Sequence, residues 1–215
     1  MTEETLTRKE RDRRLREDDF LRAAEQLFGA NGYYETSMED VARAAEYATG
    51  TIYRYFESKE ALYRELLERK GHVFFEELKK KVPDDLSPID ELKALLRAEL
   101  DWHFENHAFM QIHFEQIASR REKKAVCDLS PTMQEKYAEY LARWQDVLSR
   151  GMKDGVFNSY DPVIAVAAIK GFIEQVMHLS FDDTFEGGRN EVESFLLSFL
   201  ANGLIVPKGD TDDLT

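Results

Sequence analysis

The sequence has few of the residues that stabilise secreted proteins. It contains 1 Cys in 215 residues, so an internal disulfide is excluded, and we expect a reducing, cytoplasmic location. The N-terminus is charged and no apolar core follows it, so we expect no signal peptide. We find no apolar run that reaches the length of a bilayer span, so we expect no membrane partner.

The motifs of common catalytic sites are also missing. There is no Gly-rich phosphate loop and no G-x-S-x-G nucleophile elbow. The lone Cys127 lies in a polar stretch without a neighbouring His. We therefore predict a protein that is not an enzyme and that needs no cofactor.

Charge of the sign that attracts DNA is scarce overall. The net charge is −13, which opposes a general attraction to a polyanion. The acidity is uneven, because residues 1–70 hold 13 Lys and Arg against 16 Asp and Glu, whereas the remainder is more strongly acidic. Most of this acidity is explained by solubility.

What the sequence does have is helical periodicity. Apolar residues recur every three to four positions and no stretch of strand length alternates with period two, so we predict an all-α fold. The densest signal is residues 36–59, where Ser37 and Asp40 have the spacing of a capping box. A turn at Glu46 and Tyr47 then separates this helix from a short second helix, predicted over residues 48–55.

The short second helix has an outward face suited to DNA. Small side chains at its beginning allow close approach to base edges, and long donors after them reach phosphates. Lys59 begins the next helix, at an end that favours anions. The predicted DNA contacts are Thr36, Ser37, Ala48, Thr49, Gly50, Thr51, Tyr53, Arg54, Tyr55 and Lys59. An ordinary three-helix packing unit is the alternative.

Three runs in this region resemble the DNA-binding domain of the TetR family of bacterial transcriptional repressors. They are F20-L21-x-A23-A24-x-x-L27-F28-x-x-x-G32-Y33, T36-S37-M38-x-x-V41-A42 and T49-G50-T51-I52-Y53-x-Y55-F56-x-S58-K59-x-x-L62. The sequence departs from the family at Glu46, where members usually carry Gly, and at Thr49, where Lys or Pro is frequent. Glu46 requires either a strained backbone or a different turn.

The domain prediction has three parts. Residues 1–70 form the helix-turn-helix domain, residues 71–207 form a larger helical domain for ligand binding and dimerisation, and residues 208–215 form a disordered tail. A long helix from Ser58 to about Val82 belongs to both domains and is a candidate lever between them. Ser130-Pro131 and Asp161-Pro162 are predicted helix starts.

The last two helices carry more apolar surface than one small core can bury. We therefore predict a homodimer in which two helices from each chain form a four-helix interface. The alternative is that both helices are central in a single domain.

The resemblance implies a C-terminal domain that binds an inducer, and aromatic residues of the middle helices suit a small, mainly apolar effector. The candidate lining residues are Trp102, Phe104, Phe109, Met110, His113, Phe114, Trp144 and Phe172. Ordinary core packing is the alternative for each of them. We predict a repressor that such an effector releases from double-stranded operator DNA.

Two other functions remain open on the same fold. One is a DNA-bound scaffold that regulates a protein partner without an effector pocket. The other is a metal-responsive sensor, because His103 and His107 have an i, i+4 spacing that can place two imidazoles on one metal. We nevertheless predict that no metal is bound.

The N-terminal segment is rich in arginine. Basic residues lead into the first helix with acidic residues between them, and Arg8 and Lys9 are predicted to lie before that helix. This segment either contacts the minor groove or phosphates, or forms a self-paired, solvated helix face.

Overall fold

The computed structural model describes residues 7–113, 129–179 and 185–205. Within these ranges the regular structure is helical, apart from an isolated antiparallel bridge between Phe157 and Ile205. The helices are α1 (Arg8–Asn31), α2 (Met38–Ala44), α3 (Thr49–Ile52), α4 (Lys59–Lys81), α5 (Pro88–Glu105), α6 (described over residues 107–113), α7 (Pro131–Lys153), α8 (Pro162–Leu179) and α9 (Arg189–Leu204). The predicted all-α fold is confirmed.

Local sequence signals set several of these boundaries. Gly32 ends α1 with a φ of +86°, a conformation that favours glycine, and its N–H donates to the Phe28 carbonyl at 2.9 Å. Pro131 and Pro162 are the first residues of α7 and α8, as predicted. Asp161 caps α8, since its Oδ1 accepts from the N–H of Val163 at 2.9 Å.

The N-terminal unit is built from the first part of the chain. It contains residues 7–72 together with residues 106–113 and 129–130. α1 packs against α2, and α2 packs against α3. The core side chains with at most 1% exposure in this unit include Phe20, Phe28, Val41, Ile52, Leu62 and Tyr63.

The segment that contains α6 belongs to this N-terminal unit, although we had placed it in the larger domain. A Cβ on Gly29 would come within 2.7 Å of the Cβ of Ala108, so α1 and α6 pack at a distance that only glycine permits. Lys70 donates to Asn106 at 2.9 Å. The functional domain boundary near residue 70 stays a prediction.

The C-terminal unit contains Val73–Glu105, residues 131–179 and residues 185–205. α5 packs against α7 and α9, α7 packs against α8, and α8 contacts α9. The centre of this core is formed by Leu95, Leu96, Leu100, Trp144, Val147, Leu148, Ile173 and Leu196, none of which is exposed.

Ionic groups are buried in this second core. Glu99 is 5% exposed and contacts Lys170 and the Tyr140 hydroxyl, which donates to it at 2.8 Å. Burial opposes the charged form of Glu99, but Lys170 beside it keeps the pKa of this carboxyl below its ordinary value. Burial, reinforced by Glu99, raises the pKa of Tyr140 well above its ordinary value.

A second buried carboxylate lies near the start of α5. Glu91 is 3% exposed and pairs with Arg143, at 2.8 Å, and with Arg150. Arg143 also donates to the carbonyls of Val82 and Pro83, both at 3.0 Å. These bonds connect the end of α4 to α5 and α7.

α8 and α9 leave large apolar side chains uncovered. Val163 is 60% exposed, Ile164 69%, Phe195 51% and Phe199 55%. Phe199 also stacks near Phe172, with 4.4 Å between ring centroids. Several exposed, large apolar side chains on two helices that contact each other indicate an interaction site.

The same composition corrects one sequence expectation. α8 is long and apolar enough to span a membrane by length and composition alone, with a mean hydropathy of 1.3. From the sequence alone we predict no run of that length. A core helix of a soluble protein passes the same test, so this single helix is only weak evidence for a membrane-spanning segment.

Candidate nucleic-acid interface

The first helix of the motif, α2, begins as its sequence predicts. The N–H of Asp40 donates to Ser37 Oγ at 3.1 Å, and the N–H and hydroxyl of Ser37 donate back to the Asp40 carboxylate. These bonds hold the pKa of Asp40 below its ordinary value. Met38, Val41 and Ala42 are buried, so α2 is fixed against the core of the N-terminal unit.

The short second helix is anchored by one buried side chain, and its first residues are exposed. Ile52 is fully buried, whereas Ala48, Thr49 and Gly50 are exposed. α3 covers only residues 49–52, shorter than the predicted 48–55. The N–H of Arg54 and that of Tyr55 bond to carbonyls three residues back, at 3.1 and 2.9 Å, so the chain tightens after Ile52.

Long polar side chains follow this helix. Tyr53 is 48% exposed, and its hydroxyl donates to Glu39 at 3.4 Å. Arg54 is exposed, and Thr51 is half-buried. Tyr55 is also half-buried, and its ring lies 5.6 Å from that of Phe20, so the Tyr55 ring is held by packing. The small exposed residues at the start of α3 are therefore followed, after the buried Ile52, by the exposed donors Tyr53 and Arg54.

The turn between the two helices adopts an unusual backbone conformation. Glu46 has a φ of +61°, the one non-glycine residue with positive φ in the part of the chain that the structure describes. Of the two alternatives that the sequence left, the strained backbone is therefore correct. The next residue, Tyr47, donates its N–H to Ala42 at 2.8 Å and its hydroxyl to Asp19 at 2.9 Å. The Asp19 bond raises the pKa of Tyr47.

Three of the predicted DNA contacts have structural tasks. Thr36 is 2% exposed, and its hydroxyl donates to the Gly32 carbonyl at 3.0 Å. The Lys59 ammonium donates to the carbonyls of Tyr33 and Thr36, both at 2.9 Å, and to that of Tyr34 at 3.3 Å. Since these groups bond within the protein, as Ser37 does, we assign Thr36 and Lys59 a positioning role. Nothing in the sequence around Lys59 indicates these partners.

The effector candidates do not form one group. Trp102, Phe104, Trp144 and Phe172 belong to the C-terminal unit, whereas Phe109, Met110 and His113 belong to the N-terminal unit. Phe114 lies outside the described residues. Phe172 contacts Phe195 and Phe199 on the exposed face of α8 and α9. The effector-lining residues are predicted from residue type, and the fold places the described ones in two different units.

The aromatic residues that do meet in the C-terminal unit include several that the sequence analysis missed. The Phe74 ring lies 5.5 Å from the rings of both Trp102 and Tyr140. Tyr140 lies 6.4 Å from Trp144. An open groove of about 560 Å³ elsewhere in this unit is lined by charged residues, including Glu91, Arg143 and Arg150, and does not suit an apolar molecule.

The two candidate metal ligands do not share a helix. α5 ends at Glu105, after His103 and before His107, so the i, i+4 spacing does not place both rings on one helical face. His103 is 7% exposed, and its Nδ1 lies 2.7 Å from the Glu99 carbonyl. Burial lowers the pKa of His103. Across the described residues, no group of three His, Cys, Asp or Glu side chains is arranged to hold a metal ion.

A buried α2 followed by a short, outward α3 defines a helix-turn-helix protein of the DNA-binding class. Two family models match this chain. One, for bacterial regulatory proteins of the tetR family, matches residues 20–66, and the other, a tetracyclin repressor-like C-terminal domain, matches residues 85–178. The chain belongs to the TetR family and is a DNA-binding transcriptional regulator.

Similar proteins cover most of the chain. The HTH-type transcriptional repressor KstR2 of Mycolicibacterium smegmatis is 26% identical over 200 residues, 91% of this chain and 93% of that protein. The ketosteroid transcriptional regulator KstR2 of Mycobacterium tuberculosis superposes with a TM-score of 0.73 at 21% identity, over 89% of this chain and 96% of that one. The fatty acid degradation regulator FadR of Bacillus halodurans superposes with a TM-score of 0.69 at 21% identity, covering 86% and 93%.

Proposed function

We propose that the protein is a homodimeric repressor that binds operator DNA through α3 and leaves it when a hydrophobic small molecule binds. The observation that carries the DNA-binding part is the outward face of α3. Ala48, Thr49 and Gly50 lie exposed over a fully buried Ile52, and Tyr53 and Arg54 follow them. Such a face enters a major groove with its small residues at base edges and its donors at phosphates.

The dimer is supported by the apolar face of α8 and α9. Four of its side chains are more than half exposed, namely Val163, Ile164, Phe195 and Phe199. Two copies of this face, related by a two-fold axis, make a four-helix interface. Two α3 helices about 34 Å apart then meet successive major grooves.

The effector class is suggested by the relatives. Those proteins are named for ketosteroids and for fatty acid degradation, and both kinds of molecule are mainly apolar. The aromatic side chains that meet in the C-terminal unit, Phe74, Trp102, Tyr140 and Trp144, have the apolar chemistry that such a molecule requires. An effector that prefers the conformation unable to bind DNA lowers operator affinity by its differential affinity.

The DNA-binding part is tested with Tyr53→Ala. A duplex selected in vitro from random DNA serves as operator in a mobility-shift titration. We expect roughly tenfold weaker binding, because the variant loses an exposed donor beside the groove. Tyr160→Ala is the control, since Tyr160 is also exposed, at 51%, but lies between α7 and α8. Equal affinities of the two variants would remove α3 from the interface.

The dimer and the effector have separate tests. Phe199→Glu should convert the protein to monomers in sedimentation equilibrium, whereas Val73→Glu, an exposed position on α4, should not.

The effector is tested by adding a ketosteroid or a long-chain fatty acid to the complex of the protein with DNA. If either compound releases the DNA and raises the melting temperature of the free protein, the effector class is supported. If neither compound has these effects, the effector class is contradicted.

A further inference from the structure

Many basic side chains of the N-terminal unit are already paired within the protein. The chain has a net charge of −13, so operator binding needs a local positive surface. Most basic side chains near α2, α3 and α4 are occupied by protein partners. Arg43 pairs with Asp40, Arg22 with Asp19, Lys70 with Glu25, Arg69 with Glu17, Asp18 and Glu65, and Lys59 with three carbonyls.

The largest group of available cations lies at the start of α1. Residues 8–16 contain six Arg and Lys and two acidic residues, a local net charge of opposite sign to the chain. Glu10, one of the two, is engaged with Thr7 in a capping box. Within the described residues, Arg8 and Lys9 form no ion pair or hydrogen bond, and Arg14 acts on the Glu10 carboxylate through its charge without forming a close ion pair.

These turns of α1 do not serve the core. Every residue from 8 to 16 is exposed, including Leu15 at 62%. We had expected Arg8 and Lys9 to precede the helix, but α1 begins at Arg8. Residues 8–16 have no buried face, so packing within the protein does not explain this part of α1. Contacts of its side chains with another molecule would explain it.

The position of this segment relates it to α3. The guanidinium of Arg16 lies 5.9 Å from the ring centroid of Tyr47, in the turn that precedes α3. Phe20, one turn further along, lies 5.0 Å from Tyr47 and 5.6 Å from Tyr55, which flank α3 on its two sides. From Arg16 back to Arg8 the helix extends about 12 Å beyond these contacts, at about 1.5 Å per residue.

We infer that the first turns of α1 are a second DNA-binding element, in which Arg8, Lys9 and Arg14 contact phosphates of the operator backbone beside the groove that α3 enters. This inference rests on the proposed operator binding by α3. It assigns the two elements different tasks, because α3 reads bases whereas these side chains supply charge that is independent of sequence.

The test uses the full-length protein with R8Q/K9Q/R14Q, since Gln keeps a high helix propensity. Affinity for the selected duplex is measured by fluorescence anisotropy from 50 to 200 mM salt. Each lost phosphate contact reduces the slope of log K against log salt by about 0.9, so three contacts reduce the affinity change across this range by about 40-fold. The preference for the operator over random duplex should persist.

The matched control is K79Q/K80Q/K153Q, which removes the same charge from exposed lysines of the C-terminal unit. A salt slope equal in the two triple variants would overturn the inference. Failure of the proposed function looks different, because then the unmodified protein shows no preferred duplex or Tyr53→Ala leaves its affinity unchanged. Circular dichroism of the α1 variant checks that the helix is retained.

Discussion

The two units of this molecule use charged side chains in opposite ways. In the C-terminal unit, Glu91 and Glu99 are buried with their cationic partners. In the described part of the N-terminal unit no carboxylate is fully buried: Asp18 is 46% and Glu65 44% exposed, and Glu17 and Glu25 keep 19% and 21%. A buried ion pair has lost its hydration and depends on its partner, whereas an exposed pair is largely solvated.

This difference separates stability from binding. The buried carboxylates of the C-terminal unit, Glu91 and Glu99, link α5 to α7 and α8 through their cationic partners, and they are inaccessible to an external polyanion. Exposed ion pairs of the N-terminal unit contribute little to folding, and the exposed cations Arg8 and Lys9 can contact DNA without breaking an ion pair. The predictions below compare loss of a charge in each setting.

The largest effect is expected for Lys170→Met. This change leaves Glu99 buried without its cation, which costs about 3 to 5 kcal/mol in the free energy of unfolding. The Tyr140 hydroxyl that remains can donate one hydrogen bond, but it carries no charge. Urea denaturation of the full-length protein at fixed protein concentration measures the loss.

The matched exposed pair is Arg22 with Asp19, whose atoms are 3.6 Å apart and whose side chains are 68% and 39% exposed. Arg22→Met should cost about 0 to 1 kcal/mol. Similar losses for Lys170→Met and Arg22→Met would contradict the distinction between the units.

The loss in Lys170→Met should depend on pH, because the pKa of Glu99 is lowered in the fold. The pairing of Glu99 therefore stabilises the protein above the ordinary Glu range, and this stabilisation is lost as pH falls. The difference in stability between Lys170→Met and the unmodified protein should accordingly become smaller in acid.

A smaller loss of stability is expected for Lys59→Met, which keeps the length of the side chain. Three carbonyls in residues 33–36 lose their charged donor, and the contact of the ammonium with the Tyr33 ring, at 4.4 Å, is also lost. Hydrogen bonds that involve a charged group contribute about 1.5 to 3 kcal/mol, so we expect about 2 kcal/mol. The predicted contact of Lys59 with DNA is a separate question, which operator affinity tests.

The control is Lys79→Met, at an exposed position in the last turn of α4. Its unfolding curve should match that of the unmodified protein. If Lys59→Met unfolds in the same way but binds operator more weakly, then the carbonyl contacts are replaceable and Lys59 has a direct role at DNA.

The features that the sequence predicted correctly are local ones. The Ser37–Asp40 capping box and the starts of α7 and α8 each depend on residues within four positions of one another. Capping chemistry is determined by neighbours in the chain, so its signals survive without tertiary information.

The features that it missed depend on distant partners. Lys59 bonds to carbonyls 23 to 26 positions away, and Glu99 meets Lys170 from 71 positions away. Trp102 and Phe109 are close in sequence and alike in type, yet they belong to different units. Residue type alone cannot decide between these environments, because burial and pairing are set by tertiary packing.

The smallest expected effect is a gain, for Glu46→Gly. A left-handed residue with a Cβ costs about 1 to 2 kcal/mol, and the greater freedom of Gly in the unfolded chain offsets about 0.5 to 1 kcal/mol. We therefore expect about 0.5 to 1 kcal/mol of added stability in urea denaturation. Glu57→Gly is the control, because Glu57 is also exposed but lacks the positive φ of Glu46, and it should not stabilise.

The operator affinity of Glu46→Gly then relates this strain to DNA binding. Glu46 lies between α2 and α3, so a turn that keeps its φ of +61° with less strain should hold α3 in the same position. The variant should therefore be more stable and bind operator at least as well, because it also loses a negative charge near the phosphates. A variant that is more stable but binds more weakly would mean that the Glu46 side chain itself contributes to recognition. In that case both the cations of the N-terminal unit and the negatively charged Glu46 would contribute to DNA binding.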